Sequence, residues 1–448
     1  MRATLSGVPP GPRWPFLIDV RWLAGLAAVA IVAAACGGSL DGAGRDESVP
    51  TVVPTTTAAP DAVASATTTT SSVAPTTAAP TTAAAPDTAV PTTVAAPTTA
   101  APTTAAPSTT TVAASEPSAD AAVVTAGQWV ALAGGEDCVC SDGSDYFYWV
   151  READPERLVF FLQGGGGCFS QETCSFSGDF YDPVADPFHA GDSPASWEGI
   201  FDFDDPRNPL RDHSFVVALY CTGDIHLGNR TQDYGDGVLV HHNGFVNANA
   251  ALDAAVERFG GAAQVVVAGS SAGSASAPLF GGLATDLFPD ASVAVIADAS
   301  GASPSDPGIN TAIGELWGVG SIIPDWPVNR GVTTAEWGVP ELFIYAGRHA
   351  PRIRFARFDN AFDAIQQSYL TLAGFDASDI RRLMEQNESM IERAGVDQAS
   401  YTAPGNGHGI LTRNLMYTLE VGGVSFLDWL TEFLDGGQIE DISCTDCT

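Results

Sequence analysis

Lysine is absent from this chain of 448 residues, and its 19 basic residues face 53 acidic ones, so the formal net charge is −34. This balance argues against binding to nucleic acid or to an anionic membrane surface, because both partners are themselves negatively charged. The missing lysine also excludes a Walker-type phosphate loop, in which a lysine contacts the phosphates. Near the N-terminus the apolar run at residues 23–35 is 13 residues long, against the ~20 that a membrane span requires.

The first 36 residues have the features of an export signal. Arg2, Arg13 and Arg21 precede the apolar run, which ends in small residues at Cys36. Three alanines before Cys36 and two glycines after it resemble a bacterial lipoprotein signal, in which the cysteine is lipidated and becomes the mature N-terminus. An ordinary secretory signal is the alternative, because Ala33 stands where such motifs usually carry leucine. We therefore predict a cell-surface protein whose only membrane contact is a lipid on Cys36, or a secreted one without it.

Residues 37–120 have the composition of a linker. They are rich in threonine, alanine and proline, and between residues 51 and 115 only Asp61 and Asp87 are ionisable. Repeats of this kind bury no core and favour extended chain. We predict a disordered tether over residues 37–120, followed by one large domain at residues 121–448.

The apolar runs after residue 120 predict an α/β fold. The strand candidates are continuous rather than alternating, which is typical of a parallel sheet covered on both faces. Helix-like stretches lie between them, so we expect a doubly wound, mostly parallel sheet. The predicted strands are 158–162, 215–220, 265–268, 293–296, 342–345 and 353–356, and the predicted helices are 245–259, 362–372, 377–394 and 424–434. The proline- and glycine-rich residues 303–329 are expected to form loops or a cap over the site.

Seven cysteines remain once Cys36 is set aside. In an exported chain they indicate disulfides, and their odd number leaves one thiol free or paired with another chain. Cys444 and Cys447 form a C-x-x-C pattern with no second pair at zinc-ribbon spacing. We expect a bridge between them, or a link back to Cys138, rather than a metal site.

Residues 265–273 predict a nucleophile elbow. An apolar run leads into a G-x-S-x-G pattern at residues 269–273, and small residues follow. In such a strand–turn–helix arrangement the central serine, Ser271, is raised above the sheet, and the flanking glycines avoid clashes with neighbouring backbone. A glycine-rich turn without a catalytic role is the alternative.

A nucleophilic serine needs a histidine base and an acid that orients the histidine. Hydrolases with this elbow have the chain order serine, acid, histidine, and only two histidines follow Ser271. His408 lies in a glycine-rich loop, where a catalytic imidazole is expected, whereas His349 lies among arginines and is predicted to be a surface residue. The acid candidates, which the residues alone do not separate from helix caps, are Asp298, Asp359 and Asp363.

A run of four glycines at residues 164–167 directly follows the first strong strand candidate. Glycines here let backbone N–H groups approach a ligand closely. In hydrolases of this layout the loop donates to the oxyanion together with the residue after the nucleophile, which is Ala272 in this chain. A flexible turn is the alternative.

Together these segments resemble the pectin acetylesterase and Notum family of serine carboxylesterases. The order of the matching segments is preserved across residues 138–410, nearly the whole domain, and the ordered set is more specific than any single motif. The segments are 140–144 (CSDGS), 162–169 (LQGGGGCF) running on to Cys174, 220–224 (YCTGD), 268–273 (AGSSAG), 297–301 (ADASG) and 362–366 (FDAIQ).

The resemblance implies an α/β-hydrolase-like fold with Ser271 as nucleophile, Asp363 as acid and His408 as base. Asp298 then becomes a structural residue near the site. The oxyanion donors that the resemblance implies are the N–H groups of Gly165, Gly166 and Ala272. The disulfides that it implies are Cys140–Cys221 and Cys168–Cys174.

The expected function is that of a cell-surface serine carboxylesterase that passes through an acyl-enzyme. The expected substrate is a short acyl ester, such as an acetyl group on a polysaccharide. A fatty-acyl ester is a second candidate, because other members of the family remove a fatty acyl group. Neither a metal nor an organic cofactor is required, and no nucleic-acid partner is expected. The alternative function is a non-catalytic, wall-associated binding protein on the same fold.

Overall fold

A computed structural model describes residues 125–447. The predicted signal, the lipidation site at Cys36 and the linker of residues 37–120 lie outside this range, so these assignments stay predictions. Among the helices of residues 125–447, none combines the length and the apolar character needed to cross a bilayer.

A nine-stranded sheet forms the centre of the described domain, with two short two-stranded sheets beside it. In chain order the strands are β1 (Trp129–Ala133), β2 (Phe147–Arg151), β3 (Asp154–Leu162), β4 (His213–Ala218), β5 (Arg230–Asp233), β6 (Leu239–His242), β7 (Gln264–Ser270), β8 (Ser292–Asp298), β9 (Arg354–Asn360), β10 (Gln398–Ala403), β11 (Glu420–Val421), β12 (Val424–Ser425) and β13 (Ile442–Ser443). The order in the large sheet is β1-β2-β4-β3-β7-β8-β9-β10-β13.

Most of this sheet is parallel. The pairs β1–β2 and β2–β4 are antiparallel. Every other neighbouring pair in this sheet, from β4–β3 to β10–β13, is parallel. The central strands are mostly buried, apart from the polar start of β3, as expected where both faces of a parallel sheet are covered. The predicted α/β architecture with a mostly parallel sheet is confirmed.

Seven α-helices connect and cover the strands of the described domain. They are α1 (Gly244–Phe259), α2 (Ala272–Leu287), α3 (Pro307–Trp317), α4 (Val339–His349), α5 (Ala364–Leu372), α6 (Ile380–Arg393) and α7 (Phe426–Leu434). Helices α1, α5, α6 and α7 correspond to the four predicted helices, with starts displaced by one to three residues and ends by at most one. Parallel strands end at one edge of the sheet, and the loops there carry the site residues described below.

The strand predicted at residues 342–345 is wrong, because this segment lies in α4. Its four apolar residues have no periodicity of their own, and a run this short does not distinguish a strand from a buried helix segment. The helix becomes visible over a longer window, since Leu342, Phe343, Ala346 and Gly347 are all buried and recur at helical spacing.

The region expected to be loops or a cap, residues 303–329, contains the helix α3. Asp306 caps its start by accepting hydrogen bonds from the N–H groups of Gly308 and Ile309, and Gly318 ends it with a positive φ of 74°. The apolar side chains of this helix line the cavity described below, so the segment is an ordered wall of that cavity.

Three disulfides are present in the described domain, and two of them are the pairs that the resemblance implies. Cys140–Cys221 and Cys168–Cys174 are joined as expected, and Cys444 bonds to Cys447 rather than to Cys138. Cys138 is a free, buried thiol, and its burial raises the pKa to about 11, so it stays protonated at neutral pH.

Candidate active site

Ser271 stands at a strained turn between β7 and α2. Its backbone has φ 52° and ψ −116°, a combination that non-glycine residues rarely adopt. A Cβ at Gly269 would press on the Gly273 carbonyl, and a Cβ at Gly273 would press on the carbonyl of Leu162 in β3. Both glycines of the G-x-S-x-G pattern are therefore required by close backbone packing, as a nucleophile elbow demands.

Asp363 follows β9 and caps the start of α5. Its Oδ1 accepts the N–H groups of Ile365 at 2.9 Å and Gln366 at 3.0 Å, while its Oδ2 accepts the side-chain amide of Gln366 at 3.1 Å. The same Oδ2 accepts a hydrogen bond from Nδ1 of His408 at 2.7 Å. The side chain is fully buried, so four donors hold the carboxylate in one position.

His408 lies in the loop that follows β10. Its Nδ1 bonds to a carboxylate, which only accepts when ionised, so Nδ1 carries the proton and Nε2 has the free lone pair. Nε2 is buried and has no hydrogen-bond partner among residues 125–447. Ser271 and His408 line the same cavity, so the structure brings the predicted serine, acid and histidine to one site.

The other candidates from the sequence are engaged elsewhere. Asp359 accepts the N–H of Gly301 and the side-chain amide of Gln366, both at 2.9 Å, and lies 3.6 Å from Arg357. Burial raises its pKa, and the nearby Arg357 charge opposes this shift. None of these three contacts involves His408.

His349, predicted to be a surface residue, is half-buried. Its ring stacks on Trp326 with centroids 4.2 Å apart, and its Nε2 lies 2.8 Å from Oδ1 of Asp286. The prediction of a surface position is wrong, because the aromatic face of Trp326 covers the ring. These contacts fix α4 against α2 and leave His349 outside the cavity.

The glycine loop after β3 forms one wall of the site. Gly166 has a positive φ of 82° and lines the cavity, as does Ala272 at the start of α2, where helical N–H groups lack intrahelical partners. A Cβ at Gly164 would lie 2.6 Å from the Ser270 carbonyl oxygen, so the loop approaches the elbow closely. Gly165 is exposed and is packed against the Tyr220 ring, outside the cavity lining.

Two residues of α5 that support the site were not predicted. The Gln366 side chain bridges Asp363 and Asp359, and its oxygen accepts the N–H of Ala302 at 2.8 Å. The Tyr369 hydroxyl donates to the Phe180 carbonyl and accepts the N–H of Gly167 at 3.2 Å. The position of Gln366 three residues after Asp363 is a signal for the first contact, since side chains at this spacing meet on a helix. No local pattern indicates the second, because its partners are distant in sequence.

An apolar cavity of about 220 Å³ opens at Ser271 and His408. Its walls come from the glycine loop, α2, α3, α5 and the segment before α4, and no carboxylate or guanidinium from the described residues lines it. The apolar side chains of the wall include Phe169, Leu227, Ile309, Ile313, Trp317, Trp337, Val339, Ile365 and Leu370.

Comparisons with known proteins agree with this architecture. Residues 119–302 match the family model described as Pectinacetylesterase. Over 100 residues the chain is 34% identical to palmitoleoyl-protein carboxylesterase notum2 of Xenopus laevis, and the match covers 21% of this chain and 20% of that relative, so the chain spans about a fifth of its length. The fold is similar to the crystal structure of the Wnt deacylase Notum from Drosophila, with a TM-score of 0.50 and 16% identity over 69% of this chain and 94% of that chain. These matches confirm the predicted resemblance of this chain to the pectin acetylesterase and Notum family.

Proposed function

We propose that the domain is a serine carboxylesterase in which Ser271, His408 and Asp363 form the catalytic triad. The observation that carries this proposal is the His408 imidazole, which is bonded to Asp363 through Nδ1 and keeps an unpaired, buried Nε2 in the cavity that Ser271 lines. An unpaired buried nitrogen is costly in a purely structural histidine. It is what a general base needs in order to accept a proton from a serine hydroxyl.

The proposed reaction follows from the roles of these atoms. Ser271 Oγ attacks the ester carbonyl carbon as His408 Nε2 takes the hydroxyl proton, and His408 then returns this proton to the departing alcohol. Water, deprotonated by His408, then attacks the acyl carbonyl carbon, the bond to Ser271 Oγ breaks, and His408 returns the proton to Oγ as the acid leaves. Asp363 stays ionised, holds the Nδ1–H tautomer and stabilises the imidazolium that forms in each half-reaction.

The negative charge of the tetrahedral intermediate needs donors beside Ser271. We assign this role to the N–H groups of Gly165, Gly166 and Ala272. Ala272 is supported by its place at the first turn of α2, where the helix dipole also favours an anion. The glycine loop is supported by its close approach to the elbow, which a side chain at Gly164 would prevent.

A fatty or medium-length acyl ester is favoured as substrate by the cavity. An acetyl group would fill only the part of the cavity next to Ser271. For comparison, a dry protein cavity of ~150 Å³, smaller than this one, is large enough to hold a six-carbon ring. The lining is apolar, and burying each additional methylene there contributes about 0.8 kcal/mol. The name of the Xenopus relative refers to a palmitoleoyl ester, which belongs to this class. The acetylated polysaccharide expected from the resemblance stays the second candidate.

We expect kcat/KM for p-nitrophenyl esters to rise about fourfold per methylene from acetate until the chain no longer fits, since 0.8 kcal/mol corresponds to this factor. Initial rates for the acetate, butyrate, hexanoate and octanoate esters test this.

Ile309→Trp, on α3, fills the cavity and should lower the rate for octanoate hydrolysis while leaving the rate for acetate hydrolysis unchanged. Ala312→Trp, exposed on the same helix, is the matched control. A series that falls from acetate onwards would indicate an acetylesterase instead.

The cellular setting is part of the proposal. Disulfides persist in oxidising compartments, so the three bridges support a place outside the cytoplasm. The lipid anchor at Cys36 and the tether of residues 37–120 would then hold the esterase at the cell surface. Mass measurement of the mature N-terminus distinguishes a lipidated cysteine from a cleaved secretory signal.

A further inference from the structure

Asp298 joins the two parts of the site that carry the serine and the histidine. It is the last residue of β8 and pairs with Ser270, the last residue of β7. Its backbone carbonyl accepts the N–H of Ser271 at 2.7 Å. Its carboxylate accepts the N–H of Ile410 at 2.9 and 3.0 Å and the N–H of Leu411 at 3.0 Å. One residue therefore bonds to the elbow and to the chain immediately beyond His408.

The backbone at Gly409 is adapted to this contact. It has a positive φ of 70°, and a Cβ there would lie 3.1 Å from both Oδ2 of Asp298 and the hydroxyl of Ser270. A larger residue would push the loop away from the carboxylate. The close approach thus depends on glycine directly after His408.

The ionised form of Asp298 is costly at this buried position. Asp298 is fully buried, and burial raises its pKa to about 6, while the Leu411 and Ile410 N–H groups, the His408 charge and the Ser270 side chain oppose this shift. Since this pKa lies above the usual value, ionised Asp298 lowers the stability of the fold as the pH rises towards 6. An uncharged side chain, amide or apolar, would avoid this loss of stability. The carboxylate nevertheless offers two acceptor oxygens to the adjacent N–H groups of Ile410 and Leu411, whose directions are fixed by the loop.

We propose, on the basis of the triad assigned above, that Asp298 is a positioning residue for His408. It fixes the distance between the elbow and the histidine loop, so that Nε2 of His408 meets the hydroxyl of Ser271 when substrate binds. Asp298 touches neither substrate nor the reacting atoms. The effect of its carboxylate on the reaction passes through the loop that carries His408.

Asp298→Asn tests this inference, because its amide can accept one N–H but opposes the other. We expect kcat to fall about 10- to 100-fold with KM within about threefold, as for a base displaced by a fraction of an ångström. In a His408→Ala background the same change should lower the residual kcat less than about threefold, since there is no base left to position. Equal losses in both backgrounds would overturn the proposal and leave a structural residue.

Asp224→Asn is the matched control. Asp224 is also fully buried, also has a pKa raised to about 6 by burial, and accepts the N–H of Gly244 at 2.8 Å and of His226 at 3.1 Å. Whatever loss it causes should be the same with and without His408. If His408→Ala alone leaves kcat unchanged, the triad itself is wrong, which separates that failure from failure of the Asp298 proposal.

Ser270→Ala keeps the test available if Asp298→Asn does not fold. This change removes the Ser270 hydroxyl, which lowers the pKa of Asp298, and creates no clash. We expect a loss of about 3- to 10-fold in kcat, with KM unchanged and no loss in the His408→Ala background. Thermal unfolding of each variant shows whether the fold is intact, and a loss that is equal in both backgrounds would again contradict the proposal.

Discussion

Ser271→Ala will lower kcat for p-nitrophenyl ester hydrolysis by about 10⁶-fold, close to the rate left by removing the whole triad. The reason is that no acyl-enzyme forms without the hydroxyl, while the oxyanion donors and the cavity remain. The loss of one oxygen from a strained position should leave the melting temperature unchanged or slightly raised. Rates of p-nitrophenyl ester hydrolysis by purified protein give kcat, and thermal unfolding of each preparation gives the melting temperature.

Ser276→Ala is the control for this variant. Ser276 lies in α2, five residues after Ser271, and its buried hydroxyl donates to the Gly273 carbonyl at 3.2 Å without reaching the cavity lining. We expect its kcat to stay within about threefold of the parent. If Ser271→Ala kept the parental rate, the proposed mechanism would be wrong and the binding-protein alternative would gain support.

Asp363→Asn should reduce kcat by about 10⁴-fold. With the amide oxygen held by the N–H groups of Ile365 and Gln366, the amide NH₂ faces Nδ1 of His408. The imidazole then adopts the other tautomer, and Nε2 no longer accepts the serine proton. The amide can still accept the N–H groups of Ile365 and Gln366 and cap α5. Its NH₂ group, however, faces the Gln366 side-chain amide, so we expect a stability loss of about 1–3 kcal/mol in a urea titration.

Asp379→Asn separates the catalytic effect from the capping effect. Asp379 caps α6 by accepting the N–H of Arg382 at 3.1 Å, is exposed, and lies outside the cavity lining. Asparagine caps helices about as well as aspartate, so both activity and stability should be close to the parent. A loss of less than about tenfold for Asp363→Asn would assign the carboxylate to capping alone, and another acid would have to orient His408.

Much of the fold follows from local patterns in the sequence. The central strands contain continuous apolar runs, and the elbow is a local motif whose glycines are required by contacts within and beside it, so both were predicted. The strand bounds were less accurate, because β3 begins four residues before its predicted start and β9 ends four residues after its predicted end. The helices α1 and α7 have clear apolar spacing. In each case the information that determines the structure lies within about 15 residues of chain.

What could not be predicted depends on contacts between distant segments. The apolar residues of 342–345 fit a strand or a helix, and only packing of α4 against α2 decides between them. The choice among three aspartates depends on which of them faces His408, and the residues alone left that open. The Tyr369 contact with the glycine loop joins residues 202 positions apart, for which no local pattern exists.

The central proposal, that Ser271 is the nucleophile, is tested by reaction with a fluorophosphonate and identification of the modified residue. Because the chain has no lysine, trypsin releases Ser271 in the peptide of residues 259–330, and fragmentation must distinguish Ser271 from Ser270. We predict one fluorophosphonate per protein, bound to Ser271, with labelling abolished in Ser271→Ala and slowed in His408→Ala. Absence of labelling in the folded protein, or modification of a different serine, would contradict it.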